Sequence, residues 1–130
     1  MATLTAVVID DEKDIAEIIS GIIEIHNIKV VGLGYNGNHA VRLVNEKKPD
    51  IVFLDVKMSE KDGIEALQEI KAIAPSTKVI MVTGEETEEM KKKIQDNNAD
   101  GMIFKPFEME KFLKVLTKAK LSINTSTKKP

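Results

Sequence analysis

Five short apolar runs alternate with five helical patterns along 130 residues, and that alternation limits the possible folds more than any other feature. The runs are Val7-Val8-Ile9, Ile28–Leu33, Ile51–Leu54, Lys78–Thr83 and Met102–Lys105. Apolar on both faces, they predict buried strands. Ile15, Ile18, Ile19, Ile22 and Ile23 predict a first helix from Glu12 to His26. Asn38 is expected to cap a second, running to Lys47 before Pro49, with Ala40, Val41 and Val44 inward. Asp62-Gly63 marks a turn into a third, carrying Ile64, Leu67, Ile70 and Ile73 and closed by Pro75. Glu85 to Asn97 predicts a fourth. Glu88–Lys92 and Glu89–Lys93 are its expected i,i+4 pairs, and Met90 and Ile94 its only large apolar residues. Glu108 to Lys120 predicts the fifth, with Phe112, Val115, Leu116 and Ala119 inward. Helical crossovers between buried strands imply an α/β chain, (βα)5, with a doubly wound parallel sheet. One domain is expected over 1–121, followed by a polar disordered tail over 122–130.

Composition narrows the function. The net charge is -2, which gives no electrostatic case for nucleic acid or an anionic membrane. There is no cysteine, so disulfides, thiolate chemistry and cysteine-ligated metals are excluded, consistent with a cytosolic protein. No apolar run approaches a membrane span, and no signal peptide is recognisable. Gly32, Gly34 and Gly37 do not form a GxGxxG phosphate loop with the expected helix start and downstream acid.

Four of the five runs end in a functional group: Asp10 and Asp11, Asp55, Thr83 and Lys105. In open parallel sheets, ligands bind beyond the carboxyl ends of the strands. Asp10 and Asp11 alone are either solvated loop residues or one corner of a metal site. Adjacent carboxylates stay ionised together only beside a cation or dedicated donors. Three acids, a hydroxyl and a lysine at one sheet edge fit oxygen-ligand binding of Mg²⁺. The metal and the lysine would neutralise a phosphoryl group, and Asp55, on the central strand, is the natural nucleophile.

With those residues in place, the chain resembles a response-regulator receiver domain of two-component signalling, of the chemotaxis-response-regulator type. VVIDDE, IVFLDVKM followed by DGIEAL, VIMVTG and FKPF carry the resemblance over residues 7–107. It implies a flavodoxin-like receiver fold with strand order 2-1-3-4-5. It implies Asp55 as phosphoacceptor for a sensor histidine kinase. Asp10, Asp11, Asp55 and the Lys57 backbone carbonyl would hold Mg²⁺. Lys105 would contact the phosphoryl oxygens, and its peptide bond to Pro106 is expected to be cis. Thr83 would be the switch hydroxyl, with the small Gly84 leaving room and offering its N–H.

The sequence departs from the family pattern at two places. Met102 stands where an aromatic switch residue is usual, and it cannot donate a hydrogen bond. Ser59 stands where proline is frequent, which predicts a more mobile loop from Val56 to Lys61. Lys57 and Glu85 each lie two residues beyond a site residue and are expected either to pair across the mouth of the site or to remain solvated. The functional expectation is a stand-alone receiver that is a switch rather than an enzyme. It would report to an output protein through the fourth helix, last strand and fifth helix. The alternatives are a phosphorelay shuttle to a histidine phosphotransfer protein, a phosphorylation-independent adaptor, a flavodoxin-like cofactor binder, or a receiver cut from a longer protein.

Overall fold

The fold, taken from a computed structural model, is described for residues 3–58 and 61–127, with side chains to residue 123. Strands and helices alternate strictly. β1 (Leu4–Ile9) leads to α1 (Lys13–Ile25), β2 (Ile28–Gly34) to α2 (Gly37–Lys47), and β3 (Ile51–Asp55) to α3 (Gly63–Ile73). β4 (Lys78–Thr83) leads to α4 (Glu88–Asp96), and β5 (Gly101–Phe104) to α5 (Met109–Thr127). All neighbouring strands are parallel, in the order β2-β1-β3-β4-β5. The expected α/β topology is therefore observed.

Residue alternation along β3 divides the core. Ile51 and Phe53 face a cluster completed by Ala16, Ile19 and Ile23 of α1 and Phe112 and Leu116 of α5. Val52 and Leu54 face the opposite cluster, with Val44 of α2, Leu67 and Ile70 of α3, and Ile94 of α4. Successive strand residues point to opposite faces, so a strand covered on both sides must be apolar throughout. All five β3 residues are buried, Asp55 included. The Phe53 and Phe112 rings stack with centroids 6.0 Å apart, tying α5 to the middle strand.

The amino edge of the sheet is held by two carboxylates. Asp50 accepts from the Thr5 backbone N–H at 2.8 Å. Asp100 accepts from the Val79 N–H at 2.8 Å and from Lys71 Nζ at 2.7 Å. Lys71 Nζ also donates to the Thr77 carbonyl at 2.9 Å. These bonds secure the edge opposite the strand-end acids.

Several local boundaries differ from the sequence reading. Asn36, not Asn38, caps α2, its side chain accepting from the His39 N–H at 2.9 Å. Thr87 caps α4, so Glu85 and Glu86 lie in the preceding loop. Among the described residues, the ion pair formed along α4 is Lys91–Glu88 at 4.0 Å, not the expected i,i+4 pairs. The largest correction concerns the tail. α5 continues to Thr127, so residues 122–127 are helical where disorder was expected. Ile123 explains the extension, because it prolongs the stripe of Phe112, Leu116 and Ala119 and is buried in the same cluster. The expected mobility at Ser59 falls outside the described residues.

Candidate functional site

The strand-end residues converge at the carboxyl edge. Asp10 follows β1 directly and is fully buried, while Asp11 beside it is exposed. Asp55 ends β3 and is only 4% exposed. Carboxylate oxygens of Asp10, Asp11 and Asp55 lie within 4.8 Å of one another. Gly63 allows the loop after Asp55 to close tightly: a Cβ there would collide with the Asp55 carbonyl oxygen. The Gly63 N–H donates to the Val56 carbonyl at 2.8 Å.

Lys105 enters this acidic cluster from the end of β5. Its Nζ donates to Asp10 Oδ2 at 2.8 Å, lies 3.6 Å from Asp55 Oδ1, and is 3.9 Å from Glu12 Oε1. The other Asp10 oxygen accepts from the Glu12 backbone N–H at 2.9 Å. Burial disfavours charge on Lys105, but the Asp10 hydrogen bond and the charges of Asp55, Asp10 and Glu12 outweigh it and raise its pKa. Asp55 is pushed up from its ordinary 3.8 to about 7. Burial is the main cause, reinforced by the Asp10 charge and opposed by Lys105. The Lys105–Pro106 peptide bond is cis, as expected.

Thr83 ends β4 and is 1% exposed. Its Oγ1 accepts from the Glu85 N–H at 3.0 Å, and its carbonyl accepts from the Lys105 N–H at 2.8 Å. Asp11, Asp55, Thr83, Gly84 and Lys105 line a cleft of about 580 Å³ that also takes in Glu12, Lys57 and Glu85. At its mouth, Lys57 Nζ is 3.8 Å from Glu85 Oε1, so the suggested pair forms, although the Lys57 side chain is 80% exposed. Met102 lies in β5 and packs against the α3/α4 side of the core. Glu12 was not singled out from sequence as a site residue; its place immediately after the two acids was the available signal.

The donor set suits a divalent cation. The three clustered carboxylates against one ammonium leave two formal negative charges in a partly buried cleft. Hard oxygen ligands of this kind favour Mg²⁺ or Ca²⁺ over softer metals.

The comparison with known proteins decides what this edge belongs to. The family model for the response regulator receiver domain matches residues 6–117. The chain is a member of the receiver family. It is similar to the chemotaxis protein CheY of Listeria monocytogenes, with 38% identity over 116 residues, 89% of this chain and 98% of that protein. It is also similar to the probable C4-dicarboxylate response regulator DctR of Bacillus subtilis, with 34% identity covering 86% of this chain but 50% of that protein. Among solved structures, the response regulator domain of Thermotoga maritima CheB is 31% identical, with a TM-score of 0.84, covering 95% of this receiver and 98% of that chain. The receiver is thus CheY-like in sequence and fold. Among its described residues, no helix is long and apolar enough to cross a membrane.

Proposed function

We propose that this receiver is a phosphorylation switch whose acceptor is Asp55. The observation that carries this reading is the gathering of three carboxylates within 4.8 Å of one another, two of them facing the Lys105 ammonium. Asp10, Asp11, Asp55 and the Lys57 backbone carbonyl would hold Mg²⁺. When bound, the metal would neutralise charge on the transferring phosphoryl group. The donor is a phosphohistidine of a sensor histidine kinase. An Asp55 carboxylate oxygen forms the new bond to phosphorus, the P–N bond breaks, and the imidazole leaves with a proton. Lys105 stabilises the equatorial oxygens. The Thr83 hydroxyl, which now accepts from the Glu85 N–H, turns to donate to the phosphoryl group, and the Gly84 N–H adds a second donor.

In this reading the chain is a switch with at most slow self-dephosphorylation, not a turnover enzyme. It acts in the cytoplasm. Its output is altered binding of a partner protein at the surface of α4, β5 and α5, with no direct contact to nucleic acid or membrane. Added charge at the sheet edge biases a two-state element, as phosphorylation does generally. α4 is suited to move, because Met90 and Ile94 are its only buried residues.

The test is incubation with acetyl phosphate, with and without Mg²⁺, followed by intact mass. One added phosphoryl group that requires Mg²⁺ and is absent from Asp55→Asn supports the reading. Uptake that is unchanged in Asp55→Asn refutes it.

A further inference from the structure

We propose that in this receiver Phe104, with the Lys91 ammonium resting on its ring, links Thr83 to α4. The inference rests on the reading of Asp55 and Thr83 given above. It starts from register. Thr83 and Phe104 are partners across the β4–β5 ladder, so they share a face of the sheet. The ladder is closed beside them by the Lys105 N–H donating to the Thr83 carbonyl at 2.8 Å. A shift of the Thr83 backbone therefore moves Phe104 and Lys105 together.

Phe104 also touches α4. Lys91 Nζ lies 5.6 Å from the centroid of its ring, within reach of a cation–π attraction. Lys91 stands one residue beyond Met90 and three before Ile94, the two buried anchors of α4. Among the described residues its ion-pair partner is Glu88, on the same helix at 4.0 Å, a pair that ties Lys91 to nothing outside α4. The ring of Phe104 is thus the contact that carries Lys91 onto β5, beside the packing of Met102 against the cluster that holds Met90 and Ile94. Met102, two residues earlier on the same face, offers neither a ring nor a hydrogen-bond donor. Phe104 is the aromatic of β5 that faces α4.

The link predicts a separation of chemistry from response. Neither Phe104 nor Lys91 lines the acidic cleft. Phe104→Leu keeps an apolar side chain, and Lys91→Met keeps the aliphatic stem without the charge. Backbone amide shifts of residues 88–96 would be recorded before and after adding acetyl phosphate with Mg²⁺, with the adduct followed by intact mass. In both variants the phosphoryl adduct should form as in the parent, while most of the shift response of α4 is lost. Lys91→Arg, which keeps a cation over the ring, should restore it. Met102→Leu should leave it intact. A full α4 response in Phe104→Leu and Lys91→Met overturns the link, as does its loss in Met102→Leu alone. A parent protein that takes up no phosphoryl group overturns the reading of the site instead, and the missing mass identifies that case.

Discussion

Lys105 Nζ stands 2.8 Å from Asp10 Oδ2 and 3.6 Å from Asp55 Oδ1, so the lysine bonds to Asp10 more closely than to Asp55. A cation entering the cluster would share the Asp10 carboxylate with that ammonium. The ammonium is therefore both a stand-in for positive charge and a competitor for it.

Replacing Lys105 separates those roles. Lys105→Ala removes a like charge from beside the metal ligands and should tighten Mg²⁺ binding roughly tenfold. It should also slow phosphoryl transfer by about 100-fold or more, as loss of one transition-state donor commonly does. Calorimetric titration and a single-turnover mass time course measure the two. Weaker Mg²⁺ binding in the variant would show that Lys105 organises the carboxylates rather than competing for them.

The buried acceptor predicts a pH dependence. Asp55 titrates at about 7 in the folded chain against an ordinary 3.8. Between those values the folded state holds a proton that the unfolded state has released. Its contribution to stability is therefore fully present below pH 3.8 and is lost as pH rises through about 7. A divalent cation held by these carboxylates would favour the ionised form, so added Mg²⁺ should recover stability mainly above pH 7. Thermal midpoints from pH 5 to pH 8, with and without Mg²⁺, test this. Asp55→Asn, which cannot ionise, should flatten the metal-free curve and raise the midpoint at the alkaline end. A parent curve identical to that of Asp55→Asn would contradict the assignment.

The amino edge should act on stability alone. Asp100→Ala strands the Val79 N–H and removes the carboxylate from Lys71, which keeps its bond to the Thr77 carbonyl. It should cost about 1–3 kcal/mol in denaturant unfolding. Mg²⁺ affinity should not change, because Asp100 sits at the opposite end of β4 from Thr83.

At the mouth of the cleft, the Lys57–Glu85 pair spans 3.8 Å in an exposed setting. Such pairs are worth at most about 1 kcal/mol, which limits any effect on acyl-phosphate lifetime to roughly fivefold. Lys57→Ala should accelerate self-dephosphorylation within that limit. An unchanged rate would leave both side chains as solvated neighbours.

Features set by short stretches of chain were legible before the fold was seen. Val7-Val8-Ile9-Asp10-Asp11 and Ile51–Asp55 each join a buried strand to its acids, so placing the strands also placed the cluster. Features set by partner choice across the fold were not. Nothing local says that Lys105 prefers Asp10, 95 residues away, to Asp55. Nor does the sequence show that Lys91 comes to rest on Phe104. Asn36 and Thr87 were missed as caps because several polar residues near each helix start compete for that position. The end of α5 was misplaced because one apolar residue, Ile123, outweighs the polar residues around it once it meets the core.

The most direct measurement locates the phosphoryl group. After treatment with acetyl phosphate and Mg²⁺, borohydride reduction converts an aspartyl phosphate to homoserine, which peptide mass spectrometry can place in the chain. Homoserine is expected at position 55, dependent on Mg²⁺ and absent without the phosphodonor. Homoserine at position 10 or 11, or phosphate retained on a hydroxyl such as Thr83, would contradict it.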